Sequence, residues 1–213
     1  MKSYIVVLFL FISSSVFAQS EFEKSVSKFS DSETKNKLET FKSEGIELAF
    51  DTKNITPDEL INAAQKYLNF PHCMGGDGSK KKCMDCSGLL LASFRDVGIN
   101  LNFHGSQEMA RYGIIISDKT RLQKGDLVFF VNSYKSKNRK IVITHSGFMI
   151  SDKKMIHTSS MKGVQIIDLD DPYYWNDKFL YGTRIFDINQ ELENEESDSI
   201  PVKEKENTKE DLK

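Results

Sequence analysis

The sequence lacks an excess of charge of either sign. Its 213 residues include 29 Lys and Arg and 31 Asp and Glu, which gives a formal net charge of −2. A protein that neutralises nucleic-acid phosphates needs a clustered positive surface. The run Lys80–Lys82 is a short basic cluster, typical of a solvated loop. We therefore expect no nucleic acid among the partners of this protein.

Long apolar runs are also lacking. The run at 5–12 follows Lys2 and is too short to span a bilayer, which needs about 20 residues. Residues 16–18 supply the small residues that a signal peptidase reads, and no cysteine follows at 19 to accept a lipid. We expect residues 1–18 to be removed as a signal peptide, leaving a periplasmic or secreted protein with no stable membrane span. The alternative is an uncleaved signal that tethers the protein.

Composition and capping signals divide the remaining chain. The tail at 188–213 has nine acidic and four basic residues and little that could form a core, so we expect it to be disordered. Residues 19–55 are predicted to be partly helical or disordered. Thr56, Pro57 and Glu59 form a capping box that indicates a helix start. The folded domain is therefore predicted over 56–187.

Helical patterns come first in this domain and strand patterns follow. Helices are predicted from Thr56 to about Leu68 and from Cys86 to Val97. Strands are predicted at Leu127–Asn132, Val142–Ile150, Lys154–Ser159, Val164–Leu169 and Leu180–Phe186. This order favours an α+β fold with an antiparallel sheet.

Cys86 begins an apolar, helix-like run directly after Asp85. The first backbone N–H groups of a helix carry the positive end of its dipole, so they stabilise a thiolate and an oxyanion. Cys86 is therefore a candidate nucleophile with a lowered pKa. Gly88 is a poor helix former, which suggests the close approach of another group.

Two histidines lie downstream in strand-like runs. His145 can take the proton of Cys86 and return it to a leaving amine, and His157 can orient His145. Their separation of twelve positions leaves the hairpin register open. A regular two-residue turn at Asp152 and Lys153 would place the rings on opposite faces, whereas a bulge or a diagonal pairing would bring them together.

From about Ala63 to Phe186 the chain resembles the NlpC family of bacterial cell-wall cysteine peptidases, a papain-like group. The resemblance rests on segments in a fixed order. These are Ala64–Leu68 with Pro71 and Gly75-Gly76, then Asp85–Gly88, Gly98–Leu101, Leu122–Phe130, Thr144–Gly147 and Met155–Ser160.

The resemblance implies that Cys86 is the nucleophile, His145 the base and His157 the third residue of a triad, and that the nucleophile helix packs on the sheet. We expect no cofactor and no metal. His72 replaces a family tyrosine, so oxyanion stabilisation comes from His72 or falls more heavily on the Cys86 backbone N–H. We also take Asp85 and Ser87 as candidate oxyanion or substrate contacts.

The three cysteines leave one unpaired after any disulfide. Cys73 and Cys83 are expected to pair and so leave Cys86 free. Two alternatives remain open: a redox pair of Cys83 with Cys86, and a structural zinc held by His72 and the three cysteines.

These observations give three functional hypotheses. The first is a cysteine endopeptidase that cuts peptidoglycan stem peptides or muropeptides, between γ-D-glutamyl and a diamino acid, through a thioester. The second is a catalytically weak wall-binding protein of the same fold, which the His72 substitution and the run at 102–105 favour. The third is a thiol-disulfide oxidoreductase that uses Cys83 and Cys86.

Overall fold

The structure is a computed structural model that describes residues 18–46, 51–52, 54–102, 105–138, 140–171 and 175–186. The helices are α1 at 18–27, α2 Ser32–Ser43, α3 Pro57–Gln65, α4 Cys86–Asp96 and α5 Ser106–Met109. The strands are β1 Ile114–Ile116, β2 Leu127–Val131, β3 Ile143–Met149, β4 Lys154–Ser159, β5 Gly163–Asp168 and β6 Phe179–Arg184. Short 3-10 helices lie at Lys119–Arg121 and Asn176–Lys178.

The six strands form one antiparallel sheet in the order β1-β6-β2-β3-β4-β5. Helix α4 packs against β3 and β4, which places the residue that begins this helix beside the sheet. This architecture confirms the predicted α+β fold with a helix on an antiparallel sheet.

The predicted elements agree with the observed ones within a few residues. Strands β2 to β6 occupy the five predicted segments, and Thr56 caps α3 in the predicted capping box with Glu59. Helix α3 ends at Gln65 rather than near Leu68, since turns follow at 66–69. Strand β1 was not predicted, because three consecutive isoleucines show no alternation.

The segment before the predicted domain contributes to the same core. Phe22, Leu38 and Phe41 are fully or almost fully buried and belong to the apolar cluster that also holds residues of α3, α4 and the sheet. The buried carboxylate of Glu21 accepts hydrogen bonds from the backbone N–H of Ser117 at 2.9 Å and from its hydroxyl at 2.6 Å. Helices α1 and α2 are therefore built into the fold.

Apolar side chains fill two layers, which explains why β2 is buried throughout. One layer lies between the helices and the sheet and includes Leu89, Phe94 and Phe148. A second cluster includes Phe130 and Trp175. Because apolar clusters cover both faces of the sheet at β2, this strand is apolar throughout and shows no alternation of polar and apolar residues.

A buried ion pair joins β6 to the turn before β2. The guanidinium of Arg184 donates to both carboxylate oxygens of Asp126, at 3.0 and 2.9 Å, and to the carbonyl of Arg121 at 2.8 Å. Both side chains of the pair are almost fully buried. Such a bidentate pair fixes geometry because each donor has its own acceptor.

The predicted signal peptide, apart from Ala18, and the predicted charged tail lie outside the described residues. Among the helices that the structure describes, none combines the length and the apolar character needed to cross a membrane.

Candidate active site

Asp85 fixes the start of α4. Its side chain accepts hydrogen bonds from the backbone N–H of Gly88 at 2.8 Å and the hydroxyl of Ser87 at 2.9 Å. The other carboxylate oxygen accepts from the backbone N–H of Gly75 at 2.6 Å. Asp85 is therefore a helix cap that also ties the preceding loop to Cys86, and Ser87 is one of its partners.

The loop approaches the first turn of α4 as closely as glycine allows. A Cβ atom at Gly88 would lie 1.8 Å from the carbonyl oxygen of Gly76, a distance that no side chain tolerates. The close approach predicted at Gly88 is thus confirmed, and the approaching group is a backbone carbonyl. That carbonyl also accepts a hydrogen bond from the backbone N–H of Asp85 at 3.0 Å.

A disulfide joins Cys73 to Cys83, ten positions apart, and braces this loop. Cys86 is the free cysteine, and it is partly exposed. The pairing removes Cys83 from a redox partnership with Cys86 and removes two thiolates from the considered zinc site. Among the described residues, no group of three or more His, Cys, Asp or Glu side chains is arranged to hold a metal ion.

Hydroxyl groups connect the thiol to the sheet. The Sγ atom of Cys86 lies 3.5 Å from the hydroxyl oxygen of Ser106, which lies 2.8 Å from the hydroxyl oxygen of Ser146. Ser146 directly follows His145 in β3. On the other side, the hydroxyl of Thr158 in β4 donates to the carbonyl of Asp85 at 3.2 Å. The start of α4 is therefore attached to both strands that carry the candidate histidines.

The register of β3 and β4 places both imidazoles on one face. His157 pairs with Gly147, so His145 lies two positions from the residue directly opposite His157. Of the arrangements predicted from the sequence, the structure has the diagonal one, because residues 150–153 join the strands and the pairing is centred on Asp152. A Cβ atom at Gly147 would lie 2.7 Å from the carbonyl of Ile156 and 3.2 Å from the Cβ of His157.

The two histidines are hydrogen-bonded to each other. Nε2 of His145 lies 2.9 Å from Nδ1 of His157, and both side chains are buried. The Trp175 ring stacks on His145 with a centroid distance of 4.8 Å and meets His157 edge-on at 4.9 Å. The bond occupies Nε2 of His145 and leaves Nδ1 as the nitrogen for exchange with a thiol.

Burial sets the charge state of these groups. Burial, with smaller contributions from His157 and His72, holds the pKa of His145 well below its usual 6.5. Burial lowers the pKa of His157 to about 4. It raises the pKa of Cys86, partly offset by the Ser106 hydrogen bond and the backbone N–H groups of Ser146 and Ser87. The predicted lowering of the Cys86 pKa was wrong, because desolvation outweighs the helix end.

At neutral pH the resting pair is consequently a thiol and an uncharged imidazole. Such a pair transfers its proton as the reaction begins, with the imidazole acting as a general base.

The candidate catalytic, oxyanion and substrate-contact residues line one cleft of about 1250 Å³. Cys86, His145 and His157 lie on it together with His72 and Gln165. The cleft carries charge of both signs, from side chains that include Glu44, Asp77, Lys80, Glu108 and Arg111. The structure therefore brings together every predicted catalytic residue and His72, and the cleft has room for a branched or extended peptide.

Three residues of this site were not predicted. Ser106 begins the short helix α5, and no sequence pattern indicates its contact with Cys86. Trp175 is the single tryptophan of the chain. A lone tryptophan is a signal in the sequence that could have marked it as a candidate site residue. Gln165 lies in a predicted strand, but only the pairing of β5 with β4 shows that it faces His157.

A cysteine that begins a helix and shares a cleft with a hydrogen-bonded histidine pair on an antiparallel sheet defines a papain-like site. The chain belongs to the NlpC/P60 family, whose model matches residues 70–184.

Its relatives include the Bacillus cereus gamma-D-glutamyl-L-lysine dipeptidyl-peptidase, 33% identical over 55% of this chain and 33% of that protein. The Bacillus subtilis bifunctional muramidase/DL-endopeptidase CwlT is 33% identical over 62% of this chain and 40% of that protein. A crystal structure of an NlpC/P60 family protein from Bacillus cereus is 31% identical, with a TM-score of 0.50, over 62% of this chain and 40% of that one. The chain thus spans about a third to two fifths of these relatives.

The pKa directions predict how Cys86 reacts with iodoacetamide. Since burial raises the pKa of Cys86, we expect the midpoint of alkylation against pH to lie above the ~8.5 of a free cysteine. Cys86→Ala is the control and should take up no label, because the other cysteines are paired. A midpoint below the free-cysteine value would instead demonstrate a preformed thiolate.

Gly147→Ala tests the packing of the histidine pair. The added methyl meets a backbone carbonyl and the Cβ of His157, so we expect His157 to shift and the reaction at Cys86 to slow by about tenfold or more. The stability loss should be about 1–3 kcal/mol, as for overpacked cores. Thermal unfolding shows whether the variant folds, and unchanged reactivity in a folded variant would contradict the tight packing described here.

Proposed function

We propose that this protein is a cysteine endopeptidase that hydrolyses peptidoglycan stem peptides between γ-D-glutamyl and the diamino acid. One observation carries the proposal: Cys86 at the start of α4 shares its cleft with a base, His145, whose Nε2 is bonded to His157 at 2.9 Å. The names of the two curated relatives, which refer to glutamyl-lysine and DL-peptide bonds, support the choice of substrate.

The geometry suits covalent catalysis. Sγ of Cys86 attacks the peptide carbonyl while its proton passes to Nδ1 of His145. His145 then gives that proton to the leaving amine, so that the C–N bond breaks and a thioester remains. Water, deprotonated by His145, hydrolyses the thioester and restores the thiol. His157 holds the ring of His145 in place throughout these steps.

Developing negative charge on the carbonyl oxygen needs donors near Cys86. The backbone N–H of Cys86 lies in the first turn of α4, where N–H groups point away from the helix and favour negative charge. His72 lies on the same cleft, and its position lowers the pKa of His145. We assign the oxyanion site to the Cys86 backbone N–H, with the imidazole of His72 as the second donor.

Substitutions in the triad test this function. Cys86→Ala and His145→Ala should abolish hydrolysis of purified peptidoglycan, whereas His157→Ala should retain measurable activity because an orienting group is less essential than nucleophile or base. Mass spectrometry of the released muropeptides identifies the bond that is cut.

Wild-type activity in Cys86→Ala would exclude the covalent mechanism. Peptidoglycan binding without cleavage by the unaltered protein would favour the wall-binding alternative. The replacement of the family tyrosine by His72 is the observation that favours this alternative.

We also propose that the protein is exported and that its leader is cleaved after Ala18. The disulfide supports an oxidising compartment. Cleavage there would leave Glu21 and Phe22, both buried in the fold, a few residues from the new terminus.

Protein recovered from the periplasm or culture fluid should begin at Gln19. Peptide mapping should show Cys73 joined to Cys83, and Cys86 alone should take up an alkylating label. An intact leader, or reduced thiols at Cys73 and Cys83 in the recovered protein, would contradict this proposal.

A further inference from the structure

Gln165 faces the histidine pair from the neighbouring strand. It pairs directly with His157 in the register of β4 and β5, so the two side chains lie on the same face of the sheet. The amide nitrogen of Gln165 lies 3.2 Å from Nε2 of His157. With the His145–His157 bond at 2.9 Å, these contacts form a continuous chain of polar atoms from β5 to the base.

The positions of the protons along this chain decide whether His145 can act. A neutral imidazole has one N–H and one acceptor nitrogen. To take a proton on Nδ1, His145 must carry its own proton on Nε2 and donate it to Nδ1 of His157. Neutral His157 then carries its proton on Nε2, the nitrogen that faces Gln165. The reactive form of the base therefore needs a hydrogen-bond acceptor at Gln165.

The opposite arrangement disables the base. When the amide NH₂ group faces His157, as in the structure, it donates to Nε2 and the proton of His157 lies on Nδ1. That proton is donated to Nε2 of His145, which leaves the proton of His145 on Nδ1. The ring then has no lone pair available for the thiol. A rotation of the amide group by 180° exchanges its oxygen and nitrogen, and so reverses the direction of every hydrogen bond from Gln165 to His145.

We propose that Gln165 is a positioning residue that selects the reactive tautomer of His145 by presenting its amide oxygen to His157. The proposal rests on the base role given to His145 above. This role explains why the polar side chain of Gln165 lies beside a fully buried histidine. The uncharged amide can form a hydrogen bond with either tautomer of His157, whereas an apolar side chain can form one with neither.

Other ionisable groups also face this region and are common to all the variants below. They are Cys86 and Asp85 at the start of α4, His72 on the preceding loop and Tyr134 after β2. The effect of a change at residue 165 is therefore read as a difference from the unaltered protein in the same surroundings.

Two substitutions at Gln165 should act in opposite directions. Gln165→Glu presents only acceptor oxygens and a negative charge, which favours the reactive tautomer and raises the pKa of the histidine pair. Alkylation of Cys86 at pH 7 should become several-fold faster, and the acid limb of kcat/KM should move to higher pH. Gln165→Met has a similar length, and its thioether sulfur is only a weak acceptor. Alkylation and kcat should fall about tenfold, the loss of one hydrogen bond, with KM unchanged.

The nitrogen chemical shifts of the histidine rings provide a direct measurement. In Gln165→Glu the proton of His157 should be on Nε2, and in Gln165→Met both tautomers should be present. Ile166→Thr is the matched control, since this neighbour on β5 points to the opposite face and should change neither rate.

A purely structural role for Gln165 would change both variants alike, with lower thermal stability and no shift in the pH profile, and would overturn the proposal. Unaltered rates in Gln165→Met would do the same. Alkylation needs no peptide substrate, so it separates this proposal from the proposed function. If the protein cuts no muropeptide, the proposed substrate is wrong. If alkylation of Cys86 still responds in opposite directions to the two substitutions, the positioning role of Gln165 stands.

Discussion

The pairing register of β3, β4 and β5 is the constraint on which the site depends. Gly147, His157 and Gln165 form one row across the three strands, and His145 lies diagonal to that row. A slip of one residue in either pairing would move His157 or Gln165 to the other face of the sheet. The connection at 150–153 therefore determines whether His145, the proposed base, has His157 as its partner.

Cys86, the proposed nucleophile, depends on a separate set of constraints. Its position is set by the Asp85 cap, the contact between Gly76 and Gly88, and the disulfide that braces the loop. Hydrogen bonds join this half of the site to the strands. Among them are the contacts of Cys86 through Ser106 to Ser146, and of Thr158 with the carbonyl of Asp85.

Local signals in the sequence predicted much of this structure. The capping box at Thr56, the helix begun by Cys86 and the five main strands follow from side-chain chemistry and periodicity over short windows. The roles of Ser106, Trp175 and Gln165 could not be predicted in this way. Each depends on a contact between residues far apart in the chain, or on a strand register that periodicity does not determine.

The charge state of Cys86 could not be predicted from the sequence for a similar reason. The helix start is visible in the sequence and favours a thiolate, but burial is a property of the folded cleft and acts in the opposite direction. The helices before residue 46 contribute to that cleft through Glu44, which is ion-paired with Arg111. A sequence window around Cys86 contains neither residue.

The protonated state of the Cys86 thiol also bears on chemical damage. Peroxides and related oxidants attack the thiolate, so a sulfur that stays protonated between turnovers is oxidised slowly. A sulfenic acid is ordinarily rescued by condensation with a second thiol. The chain has three cysteines, two of them already joined, so an oxidised Cys86 would have no thiol within its own chain to restore it. A thiol that stays protonated at rest would thus also protect Cys86, the proposed nucleophile, from oxidation.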